Sequence, residues 1–96
     1  MYATIRRYDH VAGSVDDVMP DGRRLATAVS RVPGFVSFAL LDSGDGVLVA
    51  VSIFDDPTGL ADAERLVERW ATDRQAGPLS SPVVAITGEV IVQKGM

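Results

Sequence analysis

The chain has 96 residues, 47% of them apolar, with a formal net charge of −4 and no cysteine. That length fits one domain, read as residues 1–96, and it is short enough that folding buries only about 60 to 65% of the unfolded surface, so a partner subunit would help. Thirteen acidic against nine scattered basic residues leave no electrostatic footprint for a nucleic-acid backbone, and the missing cysteines remove disulfides, thiolate nucleophiles and cysteine metal ligands.

Tyr2 to Tyr8 is rich in β-formers and reads as a first strand. Gly13-Ser14 and the turn-like Met19-Pro20-Asp21-Gly22 interrupt the next segment, so the start of the first helix stays open, with a kink near Pro20 if it begins before Arg23. Leu25, Ala28, Val29 and Val32 then recur at helical spacing until Pro33-Gly34. Phe35–Leu41 and Val47–Phe54 form a hairpin across Asp42-Ser43-Gly44-Asp45-Gly46. Asp55-Asp56-Pro57 caps a second helix with Leu60, Ala63, Val67, Trp70 and Ala71 on one face, expected to end near Gly77-Pro78. Val83 to Val92 is a last strand with a bulge or bend at Gly88.

This order specifies an α+β, ferredoxin-like βαββαβ unit, a four-stranded antiparallel sheet with two helices on one face. The hairpin strands are apolar on both sides: Val47, Val49, Val51 and Ile53 oppose Leu48, Ala50 and Phe54, and Val36, Phe38 and Leu40 oppose Phe35, Ala39 and Leu41. A sheet apolar on both faces needs cover on both, and a second copy of the chain supplies it. The competing reading lets the segment before Arg23 fold as a helix over part of that face.

Charges at Arg6 and Arg7 occupy the place of a signal peptide's apolar run, and no apolar segment approaches the roughly 18 residues of a membrane span, so a cytoplasmic protein without membrane contact is expected.

Val32-Pro33-Gly34-Phe35, the hairpin, Val51-Ser52-Ile53-Phe54 followed at once by a capped helix, and Gly88-Glu89-Val90 together resemble the dimeric α/β-barrel superfamily, notably its antibiotic-biosynthesis-monooxygenase-like branch. The resemblance covers nearly the whole chain. It implies a homodimer whose sheets face each other, a small pocket between sheet and helices, and a small apolar or aromatic ligand handled without a cofactor. The monooxygenase and haem-degrading branches use an asparagine with a tryptophan and an arginine or histidine. This chain has no asparagine; Arg6 or Arg7 stands at the first-strand position and Ala63 near the second-helix tryptophan position, which speaks against both activities.

His10, the lone histidine, is placed to handle protons at a pocket mouth, against the plainer reading of a solvated loop residue. Arg6 could stabilise a developing oxyanion, while Tyr8, Trp70 and Phe54 would shape the pocket, although a helix tryptophan is commonly core. The buried arginine needs a partner such as Asp62, Glu64, Glu89 or a bound anion. Glu64, Glu68, Arg65 and Arg69 read as a solvated, charge-paired helix face. Asp9, Asp16 and Asp17 lack ligand spacing, and no metal site is expected. The two readings left open are a ligand-binding dimer, capable of cofactor-independent oxidation or isomerisation, and a non-catalytic structural or interaction dimer with a filled core.

Overall fold

The computed structural model describes residues 1–9, 15–73 and 84–95, with backbone alone at 15–18 and 70–73. Its elements are β1 (Tyr2–Tyr8), α1 (Val15–Ser30), β2 (Phe35–Gly44), β3 (Val47–Phe54), α2 (Pro57–Asp73) and β4 (Val84–Glu89). The strands form one antiparallel sheet in the order β2-β3-β1-β4, so β1 and β3 are central, as the ferredoxin-like topology requires.

The start of α1, left open by the sequence, falls at Val15, and the helix runs through Pro20. A proline in the second turn removes one backbone hydrogen bond. Packing outweighs that loss, because Leu25 and Val29 downstream are fully buried against Phe54 and Leu60. Gly22 explains how the helix lies so close to β2, since a Cβ there would stand 2.9 Å from Leu40 Cδ2. Val15 to Gly22 are thus helical, but where α1 is described against the sheet it packs on the Leu40 side, with α2, and these residues do not cover the opposite face.

The hairpin turn is tighter than the Asp42–Gly46 loop expected. β2 continues to Gly44, and only Asp45 and Gly46 connect the strands, with φ of 55° and 76°. Positive φ at both central residues matches the twist of a hairpin, which is why an Asp-Gly pair suits it. A register shift between Asp42 and Gly44 is stabilised by the Gly44 N–H donating to Asp42 Oδ1 at 3.0 Å.

A second irregularity, between Phe35 and Ser37, corrects the assignment of faces in β2. Phe35 pairs with Phe54 and so joins Phe38 and Leu40 under the helices, its ring meeting that of Phe54 edge-on at 5.8 Å and 80°. With that correction, Thr4, Arg6, Tyr8, Leu48, Ala50, Ser52 and Phe54 face the helices, and Ala3, Ile5, Arg7, Val49, Val51, Ile53, Ala39, Leu41, Val84 and Ile86 face away. Ile5, Leu41 and Ile86 on that outer face are exposed, so the sheet is apolar on both sides and, among the described residues, covered on one.

α2 has the expected cap: Asp56 Oδ1 accepts the Gly59 N–H at 2.7 Å, and Pro57 occupies the first helical position. Its stripe of Leu60, Ala63 and Val67 is buried with Leu25, Val29 and Phe54, while Tyr8, Leu48 and Ala50 form a second cluster and Phe38 packs against both. The expected helix end at Gly77-Pro78 lies outside the described residues.

β4 is shorter than expected and carries no bulge. Gly88 pairs with Ala3 in unbroken register, and the strand stops at Glu89 because β1 begins at Tyr2 and offers nothing further to pair with. The Val90 N–H still reaches the Met1 carbonyl at 2.8 Å; Ile91 and Val92 beyond it are exposed. No helix among the described residues is long and apolar enough to cross a membrane.

Candidate functional site

The helix-facing side of β1 is polar where a sheet interior would ordinarily be apolar. Thr4, Arg6 and Tyr8, at alternate positions, are only 3%, 8% and 2% exposed. A buried guanidinium is costly unless its donors are used. Arg6 Nη2 stands 3.9 Å from Glu68 Oε1 of α2, whose side chain is 68% exposed, so this ion pair is long and wet at one end. Burial raises the Tyr8 pKa above its ordinary 10.0, while the charge of Arg6 and a hydrogen bond with it pull part of the way back. Arg6 and Tyr8 therefore present a cation and a neutral phenol side by side.

Next to them, Glu64 Oε1 accepts a hydrogen bond from Thr4 Oγ1 at 2.5 Å and another from Thr87 Oγ1 at 2.9 Å. The two hydroxyl oxygens, on residues paired across β1 and β4, are 3.0 Å apart. Each hydroxyl has one hydrogen to give, so when both donate to the carboxylate the third edge of the triangle is close approach alone.

Two cavities flank this column. The larger, about 320 Å³, opens between α1 and the β2–β3 hairpin and is lined by Met19, Gly22, Arg23, Ala26, Phe38, Leu40, Asp42 and Leu48. The inner one, about 10 Å³, has room for roughly one water. Thr4, Arg6, Tyr8, Ser52 and Glu64 supply its polar wall, and Leu25, Phe38, Ala50, Leu60, Ala63 and Val67 the rest. Phe38 lines both, and is the only described side chain that does.

Of the residues singled out from sequence, Arg6 and Tyr8 stand together on the inner cavity. Phe54 is fully buried in the core beneath α2 and lines neither of these cavities. His10 lies outside the described residues, and Trp70 is placed on α2 by its backbone alone. Arg7, on the outer face, makes a two-pronged contact with Asp9, Nε–Oδ1 at 2.9 Å and Nη2–Oδ2 at 3.1 Å. Asp62 pairs with Arg65 along α2, as a solvated face would. Glu64 does not belong to that face: it turns to the sheet, where it meets not the arginine it was a candidate to pair with but Thr4 and Thr87, partners far away in sequence. The available signal was its place beside Ala63, at the flank of the buried stripe. Among the described residues, no group of three His, Cys, Asp or Glu side chains could hold a metal ion.

No family model and no curated protein sequence matches the chain. Solved structures do. A protein from Nitrosomonas europaea, provisionally assigned as an antibiotic biosynthesis monooxygenase, is similar at a TM-score of 0.72 and 14% identity over 96% of this chain and all of that one (100%). SnoaB, a cofactor-independent oxygenase from Streptomyces nogalater, matches at 0.68 and 20% identity over 99% and 95%. The haem-degrader MhuD from Mycobacterium tuberculosis, with two haems bound in its active site, matches at 0.68 and 21% identity over 99% and 100%. The chain therefore has the ferredoxin-like fold that these solved structures share.

Proposed function

We propose that the protein is a homodimer that binds a small, largely apolar or aromatic molecule between its helix layer and its sheet, and that it oxidises or isomerises that molecule without a cofactor. The observation that carries this reading is the cavity of about 320 Å³, whose floor is Phe38, Leu40 and Leu48 and whose charged groups, Arg23 and Asp42, are the polar minority that orients a ligand in such a site. Arg6 and Tyr8 would face a developing oxyanion from the inner cavity. His10 and Trp70, by their places in the sequence, would serve at the mouth and wall. The uncovered apolar sheet face with Ile5, Leu41 and Ile86 supports pairing with a second copy.

The solved structures support the fold, and a fold hosts many chemistries. The absence of asparagine favours isomerisation over the oxygenase chemistry of the resembled branches. The second reading, a structural dimer with a filled core, draws on the inner cavity of about 10 Å³, which as it stands admits no organic ligand.

The test uses Trp70, the only tryptophan, as reporter. Titration with a naphthol, an anthraquinol and protohaem should shift or quench its fluorescence with at least one of them, saturably. Unchanged fluorescence with all of them, together with no co-purifying compound by mass spectrometry, would overturn the binding reading and leave the structural dimer.

A further inference from the structure

The Glu64 triangle is more than a fold contact needs. A glutamate at the flank of a helix stripe is ordinarily left in water, yet this one is half-buried and accepts from two threonines on different strands, one of them 3% exposed. Both hydroxyls bind the same oxygen, Oε1. Neither threonine uses Oε2, and Glu64 is the single carboxylate among the described residues lining the inner cavity. The same cavity is lined by two donors, the Arg6 guanidinium and the Tyr8 hydroxyl. One base and two donors to oxygen, in a site otherwise apolar, is the equipment for moving a proton next to a carbonyl.

We infer that Glu64 is the proton acceptor of this site and that its substrate class is small apolar ketones with an acidic α-hydrogen; this rests on the ligand-binding reading above. Glu64 Oε2 takes the proton from the carbon beside the carbonyl. The C–H electron pair becomes the C=C π bond, the carbonyl π pair moves onto oxygen, and that oxyanion lies against Arg6 and Tyr8. Return of the proton to the oxygen or to another carbon of the conjugated system completes an isomerisation that consumes no oxidant. Thr4 and Thr87 are positioning residues that hold Oε1. Phe38 lines both the outer cavity of about 320 Å³ and the inner one, and is the partition that would have to turn aside for a ligand's carbonyl end to reach Arg6.

The probe is 2-tetralone, an aromatic ketone with acidic α-hydrogens, in deuterated buffer with the intact protein, its α-hydrogen exchange followed by proton NMR and its binding by amide shifts. The protein should accelerate exchange over buffer. Glu64→Gln should lose about 100-fold or more of that acceleration, the size expected for a general base, while its binding midpoint and circular dichroism stay unchanged. Thr87→Val should lower the rate at saturation without moving the midpoint, and Thr87→Ser should restore it.

Saturable binding with exchange no faster than buffer would overturn this inference and leave the binding reading standing. Glu64→Gln exchanging as fast as the parent protein would overturn it too. Amide shifts that do not respond to 2-tetralone at all would overturn the substrate class and, if the naphthol, anthraquinol and haem titrations are also silent, the binding reading beneath it.

Discussion

Gly59 on α2 lies so close to the Pro33 carbonyl that a Cβ on it would stand 2.6 Å from that oxygen and 3.1 Å from Phe54 Cδ2. The obstacle is backbone, which cannot swing away as a side-chain tip would. Gly59→Ala should therefore destabilise the fold by about 1–3 kcal/mol, the usual cost of overpacking, although alanine is the better helix former. Asp56→Ala, which removes the cap from the same turn, should cost about 1 kcal/mol. Urea unfolding of the variants measures both, and a Gly59→Ala variant as stable as its parent would contradict the packing described.

The outer face of the sheet makes a second prediction. Ile5 is 42% exposed in the subunit, at the middle of the uncovered apolar surface of central strand β1. Sedimentation of the parent protein at micromolar concentration should give a particle of twice the 10.2 kDa chain mass. Ile5→Asp, which places a charge where two sheets would meet, should yield 10.2 kDa particles with circular dichroism intact.

Tyr8 sets an alkaline limit. Its pKa is raised above 10.0 chiefly by burial, so the folded state keeps the phenolic proton to higher pH than the unfolded chain does. The group's contribution is fully present below pH 10.0 and is lost as pH rises from there through the folded value. Urea midpoints should fall across that range, and Tyr8→Phe should flatten the fall. A decline that is equally steep in Tyr8→Phe would assign it to other groups.

The larger cavity can be filled from α1. Ala26 lines it and is only half-buried, so a phenylalanine there can occupy open space. Ala26→Phe should weaken binding of any ligand that shifts Trp70 fluorescence by about tenfold or more, which corresponds to roughly 1.4 kcal/mol, with thermal stability little changed. Undiminished affinity would place the ligand elsewhere.

Much of this molecule was legible from its residues because the cues were local. The Asp56-Pro57 cap, the hairpin between Phe35–Leu41 and Val47–Phe54 and the two-sided apolar strands each come from short stretches, and the helices and strands described are built on them. What was misread or left open depended on distant partners. Pro20 lies within a helix because Leu25, Val29 and Gly22 find their places against Phe54, Leu60 and Leu40. Phe35 changes face because a bulge in β2 intervenes before Ser37, a matter of pairing with β3. The last strand ends where β1 has no residue left to offer. At the site, Arg6 and Tyr8 were identifiable as a strand's alternate positions, whereas Thr4, Glu64 and Thr87 meet only once β1, α2 and β4 are assembled.

Amide chemical-shift mapping with a bound aromatic ligand tests the central claim most directly. Binding between helix layer and sheet predicts that the largest shifts fall on Gly22, Arg23, Ala26, Phe38, Leu40 and Leu48, the residues lining the outer cavity, and extend to Arg6 and Tyr8. Shifts confined to Ile5, Val49, Val51 and Ile86 on the outer face of the sheet, or no saturable shifts, would contradict it.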